Sequence, residues 1–162
     1  MSPKNNRIRF IAKTALIAAI YVVITWLCSL VGLSSGVIQL RLSEALIVMT
    51  AFTPAAIPGL AIGCLLSNLL TNGIPLDILF GSLATLFGAL GGYLLRRWPA
   101  LTPVPNIVSN TVIVPLVLRY GYGVPDALSF LVITVFIGEV LSSGVFGLLL
   151  YSVLKKYKRY LA

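Results

Sequence analysis

The chain is a succession of apolar runs separated by short clusters of proline, glycine and charge. A helix needs about 20 residues, at about 1.5 Å each, to cover about 30 Å of hydrocarbon. Six runs meet or approach that length, at about residues 10–31, 38–53, 55–71, 77–95, 103–118 and 127–154. The second and third share one apolar stretch and are divided by "TPAAIPG", where Pro54 and Pro58 interrupt the helix, so both are short or tilted. Helix-start signals stand at the last three: Asp77 after Pro75, Thr102 before Pro103, and Asp126 after Pro125. The pattern predicts an all-α membrane protein, one domain over residues 1–162 built as a six-transmembrane-helix bundle.

Composition agrees with that pattern. Hydrophobic residues make up 59% of the chain and charged residues 10%, and the mean hydropathy is +1.02, outside the range of soluble domains. The first apolar run has no small-residue cleavage site after it and is expected to be retained as a span. The net charge of +8 does not indicate nucleic acid, because the basic residues sit in clusters at the ends of apolar runs and form no aromatic-interleaved surface. With both termini cytoplasmic, ten basic residues fall inside: Lys4, Arg7, Arg9 and Lys13, then Arg96 and Arg97, then Lys155, Lys156, Lys158 and Arg159. Only Arg41 and Arg119 fall outside, a strong positive-inside bias that also favours an even number of crossings.

The four acids occupy the other half. Glu44 begins the second span, Asp77 the fourth and Asp126 the sixth, while Glu139 lies about 12 residues into the last span, roughly 18 Å below its start. A bundle basic inside and acidic outside suits a receptor for a cationic or donor-rich solute arriving from outside. Glu139 is the foremost candidate, because an ionisable group at that depth costs several kcal/mol unless paired or solvated. Its alternative is a carboxylate neutralised by a proton or an arginine. Glu44 and Asp77 are candidates whose alternative is helix capping, with Ser43 as N-cap of the second span and Arg41 holding the loop. Asn68 and Asn72 near the outer end of the third span, and Asn106 and Asn110 on one face of the fifth, should point inward, since an amide facing lipid is costly. Counting from Pro103 leaves Asn110 nearer an outer cavity than Asn106. Gln39, Trp26 and Tyr122 could wall the outer mouth, or the aromatics could form an interfacial belt.

Small residues recur at four-residue spacing: Ala15 and Ala19; Gly59, Gly63 and Ser67; Ala84, Gly88 and Gly92; Ser143 and Gly147. Such faces let helices approach closely, within the bundle or against another subunit. The chain has no histidine and its two cysteines are isolated, so neither a metal site nor a Ser-His or Cys-His catalytic pair is expected. It has no phosphate loop for ATP hydrolysis either. No enzyme activity and no cofactor are expected.

Four segments, "QLRLSEAL", "PAAIPGLAIGCLLSNLL", "DILFGSLATLFGALGGYLL" and "GEVLSSGVFG", resemble the QueT family over nearly the whole chain. These are substrate-binding (S) components of energy-coupling factor (ECF) transporters. The resemblance implies a six-helix S component in a bacterial plasma membrane. It would capture a queuosine precursor similar to 7-aminomethyl-7-deazaguanine and dock on a transmembrane coupling subunit driven by two ABC ATPases. It also implies that Ala15 and Ala19, matching the family's AxxxA face, contact that coupling subunit. Glu139, Glu44 and Asp77 would then be acceptors for the deazapurine's donors, with Asn68, Asn72 and Asn110 as amide partners, Arg41 orienting the loop or Glu44, and Trp26 or Tyr122 stacking. The residues themselves also allow an S component for another small vitamin, a stand-alone cation-coupled carrier using Glu139, or a scaffold that binds no solute.

Overall fold

The computed structural model describes residues 3–32 and 40–157. Gln39, with Lys158 and Arg159 of the terminal basic cluster, lies outside the described residues. All regular structure among the described residues is helical. Helix α1 spans Pro3–Leu30, and a 3-10 helix follows at Leu42–Ala51. Helices α2 (Ala56–Leu70), α3 (Pro75–Leu94) and α4 (Val104–Leu116) come next, α4 running on into a π turn at Val117–Gly121. The last rod is α5 (Leu128–Glu139), a π-helical stretch (Val140–Phe146) and α6 (Gly147–Leu154) in one continuous run. Four rods are long and apolar enough to cross a membrane: Asn5–Leu30, Pro75–Leu94, Pro99–Gly121 and Leu128–Tyr157. Leu42–Ala51 and Ala56–Leu70 are shorter apolar helices.

The rods alternate in direction. Thr14 of α1 donates to the carbonyl of Ala55, and Phe52 stacks on Tyr151 with ring centroids 5.2 Å apart, so these three rods meet at one end. At the opposite end Arg41, Asn68, Asp77 and Tyr122 meet. The basic segments Arg7–Lys13, Arg96–Arg97 and Lys155–Lys156 therefore belong to the first end, and Asp77 and Asp126 to the second.

Glycine lets the rods touch. An ideal Cβ at Gly63 would stand 2.7 Å from Tyr21 Cβ, and one at Gly59 3.0 Å from Ile17 Cβ, so α1 and α2 pack at a separation only glycine permits. Gly88 does the same for α3 against Asn106 of α4, where Ser109 also donates to the carbonyl of Ala84. These small-residue faces are internal packing surfaces. Ala15 and Ala19 instead face outward, beside exposed Ile11, Leu16 and Ile20.

The 3-10 helix is the centre of the bundle, with Ser43 through Thr50 all buried. In a 3-10 helix residues three apart share a face. The Glu44, Ile47, Thr50 face meets α3, as an ideal Cβ at Gly92 would lie 2.8 Å from Thr50 Oγ1. The Ala45, Val48 face meets α6, where a Cβ at Gly147 would be 3.2 Å from Val48 Cγ1. Ser43 faces α1, accepting from Thr25 Oγ1 at 2.8 Å. The helix starts beside Tyr21 and Thr25, well below Leu30 at the end of α1, and this low start leaves a bowl above Arg41.

Candidate functional site

The bowl is a cavity of about 390 Å³, lined by Thr25 and Ser29 of α1, Asn68 of α2 and Thr71 just beyond it, Asp77 of α3, Arg41, and Val114, Leu118 and Tyr122 along and just beyond α4 and its π turn. A small-molecule site typically has about 300–1,000 Å³, so a bicyclic heterocycle is of suitable size. Arg41 is the residue before the 3-10 helix; its Nη2 donates to Asn68 Oδ1 at 3.3 Å and lies 3.8 Å from Asp77 Oδ2. Asn68 in turn donates from Nδ2 to the Asp77 carbonyl at 3.2 Å. Tyr122 donates to Asp77 Oδ2 at 3.0 Å while its hydroxyl accepts from the Ile74 amide at 3.3 Å. Burial, together with the Asp77 carboxylate, holds the Tyr122 phenol above its ordinary pKa, so it keeps its proton through the neutral range. Arg41 Nη1 is buried without a hydrogen bond, and an unmet buried donor costs about 1–3 kcal/mol, more for a charged group.

Beneath the cavity lies a second polar group. Glu44 and Glu139 are both buried, and Asn106 Nδ2 bridges them, 3.0 Å from Glu44 Oε2 and 3.3 Å from Glu139 Oε2. Tyr21 donates a short hydrogen bond to Glu44 Oε1, and Thr85 Oγ1 lies 3.4 Å from the same oxygen. Ser143 Oγ donates to Glu139 Oε2 at 2.9 Å. Glu139 sits where α5 gives way to the π-helical stretch, and it shares a face with Ser143 four residues on. Among the described residues no lysine or arginine lies within ion-pair distance of either glutamate. One column of α3 joins the two groups: Asp77 lines the cavity, Gly81 is one turn deeper, and Thr85, donating to the Gly81 carbonyl, touches Glu44.

The residues expected from the sequence divide accordingly. Arg41, Asn68, Asp77 and Tyr122 come together at the cavity, and Glu44 and Glu139 come together below it. Glu44 does not cap its helix through its side chain, and Ser43 lies inside the helix; Arg41 occupies the cap position without a side-chain bond. Asn110 is fully buried, donates to the Asn106 carbonyl at 3.1 Å and leaves Oδ1 unpartnered, while Asn106, one turn deeper, takes the carboxylates. Asn72 is an exposed turn residue with φ 57° at the end of α2, and Trp26 faces outward, half exposed. Arg119 does not reach the buried acids; its guanidinium donates to the carbonyls of Val124 and Asp126. Tyr21 and Thr85 are the site neighbours that sequence reading missed. A tyrosine in mid-run is the available signal, since a buried phenol requires an acceptor.

A multi-pass helical membrane protein with a polar, solute-sized cavity at one end of the bundle is a transport protein by class. The chain belongs to the QueT transporter family, whose profile matches residues 11–156. A relative from Lactococcus lactis subsp. cremoris (strain MG1363), named queuosine precursor transporter QueT, is 36% identical over 96 residues. That match spans 59% of this chain and only 56% of the relative's length. No solved structure matches significantly.

Proposed function

We propose that this chain is the substrate-binding component of an ECF-type importer and that its solute is a queuosine precursor resembling 7-aminomethyl-7-deazaguanine. The observation that carries this is the cavity, where a guanidinium, an amide, a carboxylate and a phenol meet in a chain of the QueT transporter family. A guanine-like edge presents one acceptor and several donors, which such a set can satisfy. The acidic residues gathered at this end, Asp77 at the cavity above all, favour the solute's ammonium group. In this reading the chain crosses a bacterial plasma membrane six times with both termini cytoplasmic. The alternation of the rods and the basic residues gathered at one end of the bundle support that orientation. The ATPases are separate subunits, and the outward face carrying Ala15 and Ala19 meets the coupling subunit.

Calorimetry on the purified protein in detergent tests the ligand. Saturable binding of 7-aminomethyl-7-deazaguanine, displaced by 7-deazaguanine and not by thiamine or riboflavin, is expected; displacement by another vitamin would overturn the assignment. A second reading, a cation-coupled carrier, draws on the buried Glu44–Asn106–Glu139 group, which suits a proton site. Uptake into vesicles holding this chain alone separates the two. Accumulation driven by a proton gradient would favour the carrier, and accumulation only with a coupling subunit and ATP would favour the importer.

A further inference from the structure

Hydrogen-bonding capacity is distributed unevenly between the two polar groups. The oxygens of Glu44 and Glu139 that the structure engages already serve Tyr21, Thr85, Asn106 and Ser143. Around the cavity the reverse holds. Among the described residues Arg41 makes one side-chain hydrogen bond, to Asn68, and its 3.8 Å approach to Asp77 is beyond hydrogen-bond reach. Its buried Nη1 has no acceptor among the described residues, while the side chain as a whole borders the cavity. Asp77 receives Tyr122 on Oδ2, and among the described residues no donor engages Oδ1. The two unused groups flank Gly81: an ideal Cβ there would lie 3.2 Å from Asp77 Oδ1 and 3.9 Å from Arg41 Nη1. Gly81 is buried one turn below the cavity, and a side chain there would press on Asp77 and Asn68.

We infer that Arg41 and Asp77 read the amide edge of the base. The guanidinium donates to the ring carbonyl, and the carboxylate accepts from the adjacent ring N–H and exocyclic amine. This deepens the deazaguanine reading above and rests on it. An unused donor beside an unused acceptor complements the carbonyl, N–H and amine order of a guanine-type edge. A fork-shaped guanidinium and a two-oxygen carboxylate make charge-assisted contacts of this kind. A site built to bond such groups rejects analogues that lack them, because its own polar groups are then left unpaired. Arg41, one of the few basic residues at the acidic end, thereby becomes a specificity residue.

The test is a cycle of ligand and protein changes, read by calorimetry on the full chain in detergent. The probes are 7-deazaguanine and 2-amino-7-deazapurine, which lacks the carbonyl and with it the ring N–H. Loss of that edge should weaken binding to the unaltered protein by about 100-fold. In Arg41→Met the same loss should cost about tenfold, because only the ring N–H contact to Asp77 remains to be lost. Arg41→Lys, which keeps the charge and removes the fork, provides a folded variant if the methionine protein is unstable, and should fall between. Gly81→Ala, whose added Cβ would push on Asp77 Oδ1, should lower affinity for 7-deazaguanine by about tenfold or more. Equal losses in the unaltered, Met and Lys proteins would place Arg41 outside the recognition edge and overturn the inference while leaving the transporter reading intact. Failure of the unaltered protein to bind either deazapurine would overturn the ligand reading and this inference together.

Discussion

Asp77 and Glu44 are both carboxylates in the first turn of a helix, and both are buried, yet they are held by opposite kinds of partner. Asp77 faces a guanidinium across 3.8 Å, takes a phenol, and borders a cavity. Glu44 has only neutral donors, from α1, α3 and α4, and shares one of them with a second carboxylate. The first arrangement balances charge loosely and leaves capacity for an incoming group. The second holds its carboxylates with donors from all four long rods, leaving Asn106 Oδ1 without a partner among the described residues. Exchangeable recognition therefore belongs with the loosely held pair, and the rigid frame behind it belongs with the glutamate group.

Substitutions can break that contrast, and the largest effect should come from the glutamate group. Asn106→Leu removes the amide between two buried carboxylates, and the loss of a partner to a buried charge typically costs about 3–5 kcal/mol. Thermal unfolding in detergent measures it, and a loss below about 1 kcal/mol would show that the glutamates do not depend on Asn106. Asp77→Asn should act in the opposite sense, weakening deazaguanine binding by about 100-fold while shifting stability by less than about 1 kcal/mol, as for a partly exposed ion pair. Comparable losses of stability in both variants would erase the distinction. Glu139→Gln should reduce affinity for the cationic precursor by about tenfold, or about 1.4 kcal/mol, and affinity for uncharged 7-deazaguanine by less. Unchanged affinity for the cation would remove the glutamate group from the binding account. The smallest effect on binding is expected from Ala15→Leu or Ala19→Leu. On their outward face they should leave calorimetric affinity intact and abolish ATP-driven uptake by preventing close helix approach.

Much of this frame is legible in the chain because membrane thickness constrains run length and acids in apolar runs are rare. The rods of α1, α3 and α4, the last rod, and the division at Pro54 follow from those two facts. The form of Leu42–Ala51 does not, because "LSEALIVMTA" is apolar on every side once Glu44 and Thr50 are buried, and a segment without an apolar face has no period to read. Glu44, Asp77 and Glu139 stand out as charges, but their grouping depends on contacts between distant rods. The ordering of Asn106 and Asn110 shows the limit. Distance counted from Pro103 favours Asn110 for an outer cavity, whereas the depth of the carboxylate group is set by Glu139 on another rod, and Gly88 brings α4 close enough for Asn106 to fill that level. Tyr21 was hidden for a related reason, since nothing in "AAIYVVITW" distinguishes a phenol that donates to Glu44 from an aromatic facing lipid.

The 3-10 helix acts as a ruler with a coarse graduation. Each of its ten residues advances the chain about 2.0 Å, against about 1.5 Å in an α-helix, so it spans about 20 Å where an α-helix of the same length would span about 15 Å. One end of the ruler is pinned by Phe52 on Tyr151, and the other carries Arg41 to Asp77. Deleting a single residue from this stretch would withdraw Arg41 by about 2 Å and turn it by about a third of a revolution, so the length of the segment sets where Arg41 meets Asp77.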